Sequence, residues 1–150
     1  MRFESNEDLK REDKAINFFI KCMAEKDELF NGVIPVKLGK HELDFLIVLK
    51  NGELIIVEVK GVKYRDIDET HCPLVSVRKI STLNKYVNEQ GYIYGYLIFA
   101  YESGIKYAEL RDLKGSFDFS KQKKRKGSVH DQETLLRFSS TEFCTNRYIK

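Results

Sequence analysis

The sequence predicts an α/β fold, a mixed central sheet flanked by helices. Three observations carry this expectation. A helical apolar stripe opens the chain. Three strand-like runs follow it, with an Asn-Gly turn between the second and third. A second helical stripe then leads into the long apolar and aromatic run IYGYLIFA. The 150 residues are 42% hydrophobic and 33% charged, which fits one domain, 1–150, with a proper core.

The first helix is expected over residues 6 to 29. Leu9, Ile16, Phe19, Ile20 and Met23 recur at helical spacing, Asn6 suits the N-cap, and Glu7 and Asp8 sit in the first turn. Asn31-Gly32 is read as its stop. Strands are expected at 33–38, 43–49 and 53–60, with Asn51-Gly52 as a hairpin turn between the last two. The third strand is apolar until Glu58 and is read as central, buried on both faces. Residues 61 to 76, with His71, Cys72 and Pro73, read as a polar connection. A helix follows over 77–89, with Ile80, Leu83, Tyr86 and Val87 on one face and Gly91 past its end. A buried strand comes next at 92–101, and 106–113 reads as a last, more exposed strand. From Lys114 the chain turns polar and basic.

Composition narrows the function classes. No apolar run is long enough to span a bilayer, and the opening MRFESNEDLKRED is too polar and acidic for a secretory or transit signal. Cys22, Cys72 and Cys144 are odd in number and widely spaced, so neither a disulfide framework nor a cysteine zinc site is expected. The expectation is a reduced, cytoplasmic protein with no membrane partner.

The chemistry-bearing stretch is HELDFLIVLKNGELIIVEVKG, residues 41 to 61. If Lys50, Asn51 and Gly52 form a three-residue loop, ladder partners sum to 102 and Asp44 lies opposite Glu58. With a two-residue loop they sum to 103 and the two carboxylates are near neighbours. Lys60, two residues beyond Glu58, points to the same face. Two adjacent carboxylates need a proton, a cation or a metal ion. Oxygen ligands without His or Cys suit Mg²⁺, with Mn²⁺ as a substitute, and the Val59 carbonyl could add another oxygen. Such an ion, with Lys60 beside it, suits phosphodiester hydrolysis. The competing reading is a plain ion pair between Glu58 and Lys60.

Asp44, a thirteen-residue interval and Glu58-Val59-Lys60 resemble the core motif of the PD-(D/E)xK nuclease superfamily. The resemblance spans about residues 4 to 101 and implies the restriction-endonuclease-like αβββαβ core. It also implies that Asp44 and Glu58 bind metal and that Lys60 assists the attacking water. Leu43 stands where proline is common in the motif. Many members add a glutamate from the first helix. Glu4, Glu7 and Glu12 are candidates, and Glu12 falls within the apolar stripe that faces the sheet, where an acid needs a reason to be. The helix after the motif carries a site-directed Gln or Lys in some branches. Here no Gln stands at that turn, and Lys79 is the nearest candidate for phosphate, against a reading as a solvated lysine.

The run KQKKRK places Lys121, Lys123, Lys124, Arg125 and Lys126 together, downstream of Lys106, Arg111 and Lys114. A basic loop of this kind would hold a polyanion through counterion release, without reading sequence. Specificity is expected in the loop 61–76 and in the basic extension, about 106–150. His41 is read as structural, and His71 and His130 carry no motif. The function expected is a metal-dependent DNA endonuclease, and cutting both strands would favour a homodimer. The alternatives are a non-cleaving nucleic-acid-binding module of the same fold, or an interaction protein whose charged trio is an ion-pair network.

Overall fold

In the computed structural model, residues 6–38, 43–113, 117–124 and 132–149 are described, with 117–124 and 132–134 as backbone alone. The first helix, α1, covers Asn6–Ala24 and buries Ala15, Ile16, Phe19 and Ile20. It ends earlier than expected. Asp27 caps a separate turn of 3₁₀ helix, Glu28–Phe30, by accepting the N–H of Leu29 on its side chain. A short polar residue able to cap a new turn competes with helix continuation, and here it wins.

The strands β1 (Val36–Lys37), β2 (Phe45–Val48) and β3 (Leu54–Gly61) form an antiparallel meander. The turn between β2 and β3 is the three-residue loop. Leu49 N–H bonds to Glu53 O at 2.9 Å, Gly52 N–H bonds to Leu49 O at 2.9 Å, and Gly52 takes a φ of 88° that favours glycine. Phe45 therefore pairs with Val57 and Leu46 with Ile56, the register that sums to 102.

Beyond β3 the chain crosses over through β4 (Val75–Ser76) and the helix α2 (Val77–Glu89) to β5 (Tyr94–Tyr101), which lies parallel to β3. The Ser76 hydroxyl caps α2 by accepting Arg78 N–H at 3.2 Å. This αβββαβ order around a mixed sheet is the restriction-endonuclease-like arrangement expected from the sequence.

Two structural layers cover β3. On one face α1 packs on Ile55, Val57, Val59, Ile98 and Ala100. On the other, Leu83 of α2 joins Ile56, Leu97 and Phe99. The connection 61–76 is not simply polar, because Val62, Ile67, Cys72 and Val75 belong to this second core.

The chain after residue 101 adds more strand than the sequence announced. Strand β6 (Gly104–Glu109) pairs with β5, and β9 (Cys144–Arg147) closes the edge beyond it, giving the order β1-β2-β3-β5-β6-β9. Far from being exposed, β6 is buried, and even Lys106 is 4% exposed, donating to Thr145 Oγ1 of β9 at 3.0 Å. A lysine whose head meets a hydroxyl on the next strand reads as a surface residue in sequence alone. Residues 110–112 turn into 3₁₀ helix instead of continuing the strand. A second sheet, β4-β8-β7, is built from β7 (Phe117–Lys124), β8 (Gln132–Phe138) and β4, and brings Leu136 and Phe138 onto the α2-side core. Lys121, Lys123 and Lys124 thus belong to a strand, not the basic loop expected of them.

Closure of the main sheet depends on Gly104, where an added Cβ would collide with the backbone of Asn146 and lie 2.7 Å from Arg147 Cα. Gly104→Ala should therefore cost about 2 kcal/mol by overpacking, lowering the melting temperature by roughly 6 °C in a domain of this size. An unchanged urea midpoint would contradict this.

Candidate active site

Asp44 lies one residue before β2, at the ladder position facing Glu58. Its backbone N–H donates to Val57 O at 3.2 Å, and its Oδ2 accepts the N–H of Val59 at 2.8 Å. The carboxylate is thereby fixed against the backbone of β3 beside Glu58. Alternation along β3 puts Glu58 on the same side as Ile56, under α2, and its side chain is nearly enclosed at 7% exposure. Lys60, two residues on, is half-buried at the carboxyl end of the strand. The open crevices of α/β sheets form at such ends of parallel strands.

Three groups reach Glu58 from other elements. Lys79, on the first turn of α2, brings Nζ to 3.6 Å from Oε2. Asp44 approaches from the hairpin, and Glu12 is felt from α1. Glu12 is 7% exposed, within the apolar stripe that includes Ala15, Ile16 and Phe19. It lines a cleft of about 270 Å³ with Asp8, Arg11, Gly61 and Lys63. Lys63 pairs with Asp8 at 3.1 Å, and Arg11 with the same acid at 3.2 Å.

Burial, above all, holds the Glu58 carboxyl well above its ordinary value of 4.5. The neighbouring Asp44 charge pushes the same way, Lys79 opposes it, and the hydrogen bond with Asp44 and the charge of Glu12 add smaller upward pushes. The Oε1 atom is buried with no hydrogen-bond partner. An unsatisfied oxygen on a carboxyl pressed against a second carboxylate fits a hard cation, because it supplies a lone pair where no protein donor competes. Among the described residues, no three His, Cys, Asp or Glu side chains form a ready metal cage. The donor set instead matches Mg²⁺, which keeps several waters and takes one or two carboxylates from the protein. Asp44 and Glu58 are the carboxylates that would hold such an ion, with Glu12 and the Val59 carbonyl as further oxygens.

The sequence-derived set thus divides. Asp44, Glu58, Lys60 and Val59 share the hairpin, the charge of Glu12 is felt at Glu58 from α1, and Lys79, about a third exposed, pairs with Glu58. Lys121, Lys123 and Lys124 lie on β7, whose side chains are outside the described residues, as are Arg125 and Lys126 entirely. Glu4, His41, Lys114 and His130 also fall outside. Sequence reasoning missed the rim made by Asp8, Arg11 and Lys63. The one available signal was that Lys63 stands three residues after Lys60.

Comparison with protein-family models finds no match, and comparison with curated proteins finds none either. Among solved structures, the chain is similar to Hjc, a Holliday junction resolvase from the archaeal hyperthermophile Archaeoglobus fulgidus. The two are 13% identical, the match covers 90% of this chain and 92% of that one, and the TM-score is 0.48. Among the described residues, no helix is long and apolar enough to cross a membrane.

A carboxyl whose folded-state pKa is raised binds its proton more tightly in the folded chain. Its contribution favours folding at low pH and is lost as pH rises from the ordinary value of 4.5 through the raised one. Without metal, Glu58→Gln should therefore melt higher than wild type at neutral pH, and the gap should close towards pH 4.5. Equal melting curves at both pH values would show that Glu58 ionises without penalty.

Proposed function

We propose that the chain is a divalent-metal-dependent nuclease that hydrolyses the phosphodiester backbone of DNA. The observation that carries this reading is the buried Glu58, its Oε1 unsatisfied, beside an Asp44 fixed by the Val59 N–H. Folding has brought these acids together at a cost in charge burial, which the charge of Lys79 offsets only in part at Glu58. When bound, Mg²⁺ or Mn²⁺ supplies Lewis-acid polarisation of the scissile phosphate and a more acidic water.

The protein's own groups do the rest. Asp44 and Glu58 hold the ion, with Glu12 and the Val59 carbonyl as further oxygens. The Val59 N–H keeps Asp44 from rotating away, which preserves the spacing of the two carboxylates. Lys60 orients the attacking water, takes its proton or stabilises the charge that develops on the phosphoryl oxygens. Lys79 balances Glu58 in the metal-free chain and offers a cation to phosphate. The basic residues Lys121, Lys123, Lys124, Arg125 and Lys126 are proposed to hold the DNA backbone. Cutting both strands favours a homodimer, because one site cuts one strand at a time.

The Lys79–Glu58 pair favours a second reading, in which the charges form a purely structural network. The two readings part on metal. In the nuclease reading, Mn²⁺ raises the melting temperature of wild type and leaves Asp44→Ala unchanged, since only a competent site binds and stabilises. Cleavage of DNA in Mg²⁺ or Mn²⁺ falls by about 10²-fold or more in Lys60→Ala. Mn²⁺ that stabilises neither protein, together with no cut in any DNA or RNA form, would leave the structural network as the better account.

A further inference from the structure

The segment leaving β3 runs Val62-Lys63-Tyr64-Arg65-Asp66, directly after the strand that carries Glu58 and Lys60 and beside the cleft that contains Glu12. Tyr64 is unusual there in two independent ways. Its side chain is fully exposed, at 100%. Its φ is 62°, and among the described residues it is the one non-glycine with a positive φ. A side chain with a Cβ is strained in that left-handed region, and glycine would make the same turn more cheaply. An aromatic ring left in water at a strained position does nothing for the fold, and such strain concentrates where a ligand is held.

The turn that carries Tyr64 is firmly built. Val62 is buried, and its N–H donates to Ala100 O at 2.9 Å. Lys63 pairs with Asp8 of α1 at 3.1 Å and Arg65 with Glu69 at 3.7 Å. The N–H of Asp68 donates to Asp66 Oδ1 at 2.8 Å, and Ile67 is in the core. Ordered neighbours on both sides therefore present Tyr64, so little ordering cost remains for binding.

The surroundings indicate what it would hold. Tyr64 lines a cleft of about 500 Å³ with Glu7, Arg11, Lys63, Arg65, Asp66 and Glu102. Through Arg11 and Lys63 this cleft adjoins the one that contains Glu12. Three cations face three acids there, so the cleft has no net pull on a run of phosphates. An aromatic face with carboxylates beside it suits a nucleobase, which stacks on the ring and donates from an exocyclic amine. Tyr64 is four positions along the chain from Lys60, so their backbones are within about 13 Å of each other.

We infer that Tyr64 stacks an unpaired base next to the scissile phosphodiester. The substrate class of this site is then a nucleic-acid strand with single-stranded or unstacked nucleotides at the cleavage point. A fully paired duplex keeps its bases stacked inside the helix, where Tyr64 reaches one only after it has been extruded. This inference rests on the nuclease reading above and adds to it what the site selects.

The test is fluorescence anisotropy on the full chain in EDTA, so that nothing is cut. The probes are a fluorescein-labelled blunt DNA duplex and the same duplex with a single-stranded arm. Tyr64→Ala should bind the armed duplex about tenfold more weakly, with less than about a twofold change on the blunt one. Tyr64→Phe and Tyr64→Trp should bind both as wild type does. Tyr64→Gly should lose the armed duplex as alanine does, yet melt no lower than wild type, because glycine relieves the strained φ. Equal weakening on both probes, no weakening on either, or a phenylalanine variant that behaves like alanine would overturn the stacking role. A wild type that cuts DNA in a parallel assay with Mg²⁺, while Tyr64→Ala binds normally in EDTA, defeats this inference and leaves the nuclease standing. A wild type that neither binds nor cuts any strand defeats both.

Discussion

A carboxylate on a strand covered from both sides has no water to rest against, and the arrangement of this molecule follows from where Glu58 is put. The run 54–57 is apolar because α1 covers one face of it and α2 the other. Glu58 continues that run without leaving the shelter, so its charge has to be answered by neighbours instead of solvent. The answers come from three separate elements. Asp44 reaches it across the hairpin, Lys79 from the first turn of α2 and Glu12 from α1. Two of the three are acids. A site meant only to neutralise Glu58 would have recruited the opposite sign.

The hairpin was legible in the sequence because its determinants are local. Asn51-Gly52 marks the turn but leaves two registers open, and the structure takes the three-residue loop, which sets Asp44 against Glu58. The helix Val77–Glu89 was equally legible, since one apolar face and Gly91 past its end define it without help from elsewhere. Glu12 could be picked out because an acid interrupting an apolar stripe is conspicuous at helical spacing.

Strands β4 and β9 escaped because their partners are far away in sequence. Strand β9 reads Cys-Thr-Asn-Arg, with no alternation to betray it, and forms because β6 offers a free edge. The segment 61–76 hides its core residues among charges, one apolar side chain at a time. Lys79 is also a matter of tertiary geometry. One helical turn decides whether that lysine meets Glu58 or solvent, and the sequence alone contains no such angle.

The small sheet has a consequence for how the molecule comes to exist. Val75 pairs with Leu136 and Ser76 with Leu135, so the end of the segment beside the site is tied to a strand about 60 residues further along the chain. Closing a loop of that length is slow beside forming a hairpin, which takes microseconds. Asp44 and Glu58 can therefore meet early in folding, while the connection that leads away from Lys60 gains its final support late. A chain caught between those two events would already hold both carboxylates in register, with the far end of its rim still unsupported.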